Sequence, residues 1–392
     1  MNSQMKALIR KTIRKVKNLF GLNVLYNVNR SNDSKHCLLI YIQHPFYEKT
    51  ICDAHQNRWQ AVELARVIGS FGYQVDVADY REKSVRLMKK YDLVIGLIPR
   101  GIDIYSRHLK EKARIIAYLT SSNLEYTNHQ EQKRLQELWE RRGIRLQARR
   151  QTQKIDRVIE TFDGALFFGN GYNLRSYDCF RMPPIYYIAN NGYDYDFPIE
   201  FQKNPKKFLF FGSAGQVHKG LDRLLDIFSE PGFPCELYVC GLIDEEWDFK
   251  EAYDRELFHT ENIHTAGFVN IHSECFRDLV NQCAFSILPS CAEGQAGSVI
   301  TMMAAGVIPI CSRECGYDDD EVINLPDCEM QTLRETVLHY SGMDPHWIEE
   351  KTHWALSVYQ RKHTKKHFTD SIRSGLRNIL EPRESGEKQA DV

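Results

Sequence analysis

Short runs that are apolar at nearly every position recur along this 392-residue chain, separated by stretches with helical spacing. A strand without a polar face must be covered on both sides, and crossover helices provide that cover in a parallel sheet. The first series comprises the apolar Cys37–Ile42, the alternating Gln74–Val77, then Leu93–Ile98 stopped by Pro99, Arg114–Leu119 and Gly164–Phe168. Helices are expected over Trp59–Ser70 and about Asn128–Arg150. A turn-rich connector follows, in which the Asn191-Gly192 step favours a reversal. The series then restarts with Phe208–Phe211, Glu236–Cys240, Phe285–Leu288 and Val307–Ile310. The pattern predicts an α/β protein of two Rossmann-like domains facing a central cleft, residues 31–200 forming the first and 201–345 the second. In such sheets ligands bind beyond the carboxyl ends of the strands, so function is expected at strand ends on the two walls.

Composition narrows the class. The chain is 43% hydrophobic and 26% charged with a formal net charge of −1, a globular balance that argues against a nucleic-acid partner. No run of about 18 apolar residues occurs, so no transmembrane helix is expected. Lys6, Arg10, Lys11, Arg14 and Lys15 break up the N-terminus, which excludes the apolar core of a signal peptide and leads us to expect a cytoplasmic protein. Within residues 1–30, the segment 5–20 sets Ile9, Ile13, Val16 and Phe20 at helical spacing among basic residues. Such a helix suits the inner, anionic surface of a membrane, and packing on the protein itself is the alternative. The 11 cysteines follow neither a CxxC framework nor a zinc spacing and read as reduced thiols. A long amphipathic helix is expected over about 346–380, followed by a polar, disordered tail at 381–392.

Two strand ends in the second series carry chemistry. Phe211 leads into Gly212-Ser213-Ala214-Gly215-Gln216-Val217-His218-Lys219-Gly220 and then the helical run Leu221–Phe228. Small residues let backbone approach a ligand, a helix start offers unpaired N–H groups to an anion, and Lys219 adds a charge, so a diphosphate fits. The second strand end runs Pro289-Ser290-Cys291-Ala292-Glu293-Gly294-Gln295-Ala296-Gly297-Ser298-Val299-Ile300-Thr301 and continues as a helix of small and apolar residues to Gly306. There Glu293 can accept two sugar hydroxyls. A solvated lysine in a Gly-rich turn and a surface glutamate are the alternatives for each motif alone.

The order Pro-Ser-x-x-Glu-Gly-x-x-x-Ser-Val, with Gly306-Val307-Ile308-Pro309-Ile310 after it, resembles the nucleotide-sugar signature of GT-B glycosyltransferases of family GT4, the glycosyl transferases group 1. Gly212 with Lys219-Gly220 resembles that family's phosphate loop, and Asn191-Gly192-Tyr193-Asp194 its interdomain segment. The resemblance covers about residues 190–316. It implies a GT-B fold, with the C-terminal helix crossing back to brace the first domain, and a retaining transferase acting in polysaccharide or glycoconjugate synthesis. A nucleotide-diphosphate-sugar would be co-substrate, with no metal or other cofactor, and a glycan or lipid-linked glycan would be the acceptor. Carried over, Glu293 holds the donor sugar with Gly294, Gln295, Ala296 and Gly297 beside it, Lys219 neutralises the diphosphate, and Ser298 and Val299 flank the nucleotide. Gly212 would lie against the phosphates. Two positions depart from the pattern. Thr301 stands where the family has a second, ribose-binding Glu, and Ser213 where it commonly has an Arg.

On the other wall, His129 opens a helix beside Glu131 and is a candidate contact to the sugar or transition state. Asn123, at the end of the Arg114–Leu119 strand region, and His44, after the first strand, are acceptor-side candidates. The rival readings are a non-catalytic nucleotide-sugar-binding protein and a sugar-nucleotide epimerase of the same fold.

Overall fold

A computed structural model describes residues 23–53, 55–82, 85–96, 103–151 and 157–381. The basic segment 5–20 and the tail from 382 lie outside them.

The first sheet contains β1 (Val24–Leu25), β2 (Lys35–Tyr41), β3 (Tyr73–Asp79), β4 (Tyr91–Gly96), β5 (Leu109–Leu119), β6 (Gly164–Phe168) and β7 (Ile185–Ile188). Their order is β1-β3-β2-β4-β5-β6-β7, parallel except for β1, which pairs antiparallel with β3. The second sheet contains β8 (Asn204–Phe211), β9 (Glu236–Cys240), β10 (Ile263–Gly267), β11 (Cys283–Leu288), β12 (Ile308–Ser312) and β13 (Ile323–Leu325). It is parallel throughout, in the order β10-β9-β8-β11-β12-β13. Each apolar run forms a strand because both its faces are covered: all of β6 and all of β11 are buried. Strand order reverses between β2 and β4 in one sheet and between β8 and β11 in the other, so a crevice opens at the carboxyl ends of those pairs. Both motif loops leave the second of these switch points.

Two helix predictions need correction. The helix expected to reach residue 150 is α2 (Leu124–Arg142), following α1 (Asn57–Gly69) in the chain, and it stops at Gly143. That glycine adopts φ 69° and its N–H caps the Trp139 carbonyl, a left-handed helix end. Nor does α2 simply cover the sheet that its place in the sequence suggests. Leu138 is buried in the core of the second sheet, with Leu135, Ile144 and Leu146 packed against it. Arg141 pairs with Asp222 and Asp226, and Arg142 with Asp226 and Glu256, which fastens the end of α2 to α3 (Leu221–Phe228) and its neighbour.

The expected helix over 346–380 is two helices. Downstream of α4 (Gly297–Ala304), α5 (Pro345–Lys362) sends Ile348, Val358 and Tyr359 into the second core. The chain then turns at buried His363, and Thr364 caps α6 (Lys365–Leu380) by accepting from the His367 N–H. Phe368, Ile372, Leu376 and Ile379 of α6 lie in the first core. Their spacing puts one apolar face against β6 and β7, so the chain does cross back as expected. Among the described residues no helix is long and apolar enough to cross a membrane.

Candidate active site

The loop after β8 and the loop after β11 are bonded to one another before any side chain charge is considered. Cys291 N–H donates to the His218 carbonyl at 2.9 Å, and the His218 ring meets the Ala292 carbonyl at 2.6 Å. Within the β8 loop, the Lys219 N–H closes on the Gly215 carbonyl at 2.9 Å. The buried Glu246 carboxyl accepts from the N–H groups of Gly215 and Gln216, which fixes that part of the loop, while burial raises its pKa and so works against a standing charge there.

This framework brings Lys219 and Glu293 together. Lys219 Nζ lies 2.6 Å from Glu293 Oε1, both side chains are buried, and Ser290 Oγ donates to the same oxygen at 3.0 Å. Burial opposes ionisation of Glu293, but Lys219 and Arg150 override it and hold its carboxyl well below the usual carboxylate range. Burial drives the adjacent His218 imidazole down to about 4, so it is neutral at pH 7 and its 3.9 Å approach to Glu293 is not an ion pair. The permanent charges are therefore Glu293, Lys219 and Arg150, whose guanidinium stands 3.7 Å from Glu293 Oε2.

The first half of the chain closes over the β11 loop. Ser122 donates to the Glu293 carbonyl from its N–H at 2.9 Å and from Oγ at 2.6 Å, and Asn173 Nδ2 adds a third bond at 3.3 Å. Arg134 donates to the Pro289 carbonyl at 3.0 Å. Gln56 Nε2 bonds the Gly297 carbonyl at 3.0 Å and Thr301 Oγ1 at 3.3 Å. A Cβ on Gly294 would sit 2.5 Å from the Thr120 carbonyl oxygen, so only glycine allows the two walls to meet there.

The remaining sequence candidates fall into two groups. Gly212, Ser213, Gly294, Gln295, Ala296, Gly297, Ser298, Val299 and Thr301 all belong to these loops or to the start of α4. Ser213 is exposed and Ser298 half-buried, whereas Gln295 is tied to Asn190 and Val299 is core. Thr301 is buried, and its hydroxyl donates to the Gly297 carbonyl at 3.0 Å while accepting from Gln56. On the other wall the candidates stand apart from the charge cluster. His129 is exposed on α2. Asn123 is buried and caps α2, accepting from the Glu125 and Tyr126 N–H groups. His44 is exposed in a short turn after β2, its pKa lowered by desolvation and by Arg58. The loop holding His44 does reach the cluster, but through Gln56 and His55, whose imidazole is pushed down by desolvation and by Arg150 and Lys219.

Sequence reading missed Arg150, Gln56, Ser122 and Glu246. Nothing local marks them, because each acquires its role from a partner in another element: Gln56 and Thr301 are 245 positions apart.

Residues 205–330 match the family model for glycosyl transferases group 1. No curated protein is a significant match in sequence. Among solved structures, sucrose-phosphate synthase from Thermosynechococcus elongatus is similar over 88% of this chain and 99% of its own, at 12% identity and a TM-score of 0.60. HepE from Anabaena, solved with UDP-glucose, is similar over 87% of this chain and 99% of its own, at 11% identity and a TM-score of 0.57. TarM, known from S. aureus, is similar over 74% of this chain at 13% identity and a TM-score of 0.52. The likeness spans only 54% of the TarM chain. Two largely parallel α/β sheets set face to face, with both motif loops at the second switch point, give this chain the GT-B fold, and its residues 205–330 match the glycosyl transferases group 1.

Proposed function

We propose that the protein is a glycosyltransferase that moves a sugar from a nucleotide-diphosphate-sugar to an acceptor hydroxyl, with retention of anomeric configuration. The observation that carries the reading is the buried Lys219–Glu293 pair at the β8/β11 switch point, inside the residues that match the family. In this reading the donor displaces the direct Lys219–Glu293 contact. Glu293, kept ionised, accepts hydroxyls of the transferred sugar. Lys219 faces the diphosphate, where negative charge grows as the bond from the anomeric carbon to the phosphate oxygen breaks. The acceptor oxygen bonds to the same carbon, and its proton passes to the departing phosphate on the same face. At about 4 Å and an effective dielectric near 20, one fixed cation contributes roughly 4 kcal/mol to such a charge, so the side chain takes the part a metal would otherwise play.

The acceptor in this reading is a glycan or lipid-linked glycan of polysaccharide or glycoconjugate synthesis. The protein would work in the cytoplasm at the inner membrane face, with the basic segment 5–20 on the lipid. HepE is solved with UDP-glucose and TarM with UDP, which makes uridine donors the first to test. One observation favours a second reading, a nucleotide-sugar-binding protein without transfer: the Thr301 hydroxyl is engaged by Gln56 and Gly297 rather than open to a ribose.

The test is a panel of nucleotide sugars screened by thermal shift, since a ligand that binds the folded state raises its apparent stability. Transfer and nucleoside-diphosphate release are then measured with the donor found. Glu293→Ala and Lys219→Ala should each lower transfer at least 100-fold in protein that remains folded by circular dichroism. Near-normal rates in both variants would overturn the site assignment. Tight donor binding with no transfer or hydrolysis would favour the second reading.

A further inference from the structure

Lys219 and Glu293 cancel one another in charge. With His218 neutral, they leave a pocket that would have no surplus positive charge for a diphosphate. Arg150 supplies that surplus. We propose that Arg150, reaching across from the first half of the chain, is a catalytic residue that contacts the donor diphosphate and does the work an Arg at position 213 would do. The proposal rests on the glycosyltransferase reading above and adds to it a residue outside the matched segment 205–330.

Four features support it. The segment after α2 is pinned by the buried Glu131 carboxylate, which accepts from the Arg149 N–H at 2.8 Å, the Arg150 N–H at 2.9 and 3.0 Å, and Gln151 Nε2 at 2.9 Å. Arg150 therefore starts from a fixed backbone. Its side chain then lies across the β8 loop at Gly215, where φ is +92° and a Cβ would stand 3.0 Å and 3.2 Å from Arg150 Cγ and Cδ. Its guanidinium faces Glu293 Oε2 while Lys219 holds Oε1, so the cations flank the carboxylate through different oxygens. Finally, at 3.7 Å the guanidinium is beyond hydrogen-bonding distance of Glu293, and Glu293 is its one ion pair among the described residues. The fork of N–H donors is held close to the site without being spent on it, and its side chain is 37% exposed, against 6% for Lys219. A planar fork is the geometry that binds phosphate oxygens in pairs.

In the transfer step Arg150 forms no covalent bond. The electron pair of the broken carbon–oxygen bond goes to the phosphate oxygen, the acceptor oxygen bonds to carbon, and the acceptor proton goes to the leaving diphosphate. Arg150 shares with Lys219 the charge that accumulates on that diphosphate.

The experiment uses the full chain with Arg150→Ala, Arg150→Lys and the double variant Arg150→Ala/Ser213→Arg. Binding is measured by calorimetry for UDP, GDP, ADP and dTDP, and for the matching nucleoside without phosphates. For the diphosphate that wild type binds, Arg150→Ala should lose roughly 10- to 100-fold in affinity, the range for hydrogen bonds to charged groups. Nucleoside binding should be unchanged. Arg150→Lys should fall between, and the double variant should recover at least half of the loss in log units, because Ser213 is exposed on the β8 loop that the Arg150 side chain crosses. A purely structural Arg150 would weaken nucleoside and diphosphate alike and would not be rescued from position 213, and either result overturns the proposal. Equal diphosphate affinity in Arg150→Ala overturns it while leaving the glycosyltransferase reading standing. If wild type binds none of the four diphosphates, both fall together.

Discussion

Replacing Lys219 by Met should expose how strongly the central pair is coupled. The substitution removes the cation 2.6 Å from a carboxylate that is only 9% exposed. Breaking a buried pair by deleting one partner costs about 3–5 kcal/mol, since the remaining charge is left uncompensated. Arg150 at 3.7 Å and the Ser290 hydroxyl at 3.0 Å still face Glu293, so we place the loss at the low end, about 3 kcal/mol. The double variant Lys219→Met/Glu293→Gln removes both charges and should recover much of that loss, giving a coupling energy of about 2 kcal/mol. The pH dependence carries a sign. In wild type the depressed Glu293 pKa contributes stability that is present in full above the unfolded value of about 4.3 and is lost progressively as pH falls from there through the lower folded pKa. In Lys219→Met, burial acts with less opposition and the folded pKa is higher than in wild type, so the gap to wild type narrows as pH falls through the variant's folded pKa. Urea unfolding at pH 7 and pH 5 measures both effects. A Lys219→Met variant within about 0.5 kcal/mol of wild type at pH 7 and without a narrowing gap at pH 5 would refute the reasoning, because surface substitutions behave that way.

Two further outcomes test the tertiary contacts. Gln56→Ala removes both bonds from the first half of the chain to the start of α4, so amide exchange at Gly297–Thr301 should accelerate about 5- to 10-fold, matching about 1 kcal/mol for an interaction of this kind. Unchanged exchange there would mean that this contact does not hold the walls together. Phe368→Ala empties a site where the ring packs beside Phe168 and Trp59, and should cost about 3–5 kcal/mol in urea unfolding. A loss under about 1 kcal/mol would show that α6 does not anchor the first core.

How much of this was legible without coordinates depends on distance along the chain. Nine of the thirteen described strands were, since runs such as Phe208–Phe211 have no polar face to offer solvent; β1, β7, β10 and β13, which were not expected, are the four sheet edges, where burial on both faces is not required. The β8 and β11 loops were, because small residues, Lys219 and Glu293 are concentrated in two short stretches with a recognisable order. The end of α2 at Gly143 is written in the sequence too, as a glycine after a polar helix. The break at His363-Thr364 was harder, as Thr is unremarkable in a helix until its hydroxyl is seen capping α6.

Local sequence thus determined the central strands of the two sheets, the switch-point loops and the placing of Lys219 and Glu293 on them, because apolar period, glycine and charge act over a few neighbouring residues. Only the tertiary structure decided that α2 docks on the second core, that Gln56 takes the Thr301 hydroxyl, and that Arg150 stands at Glu293 while His129 stays exposed. Those outcomes depend on which distant surfaces bury against one another. The interface that joins them is assembled from residues more than 100 positions apart, and no periodicity along the chain encodes such a meeting.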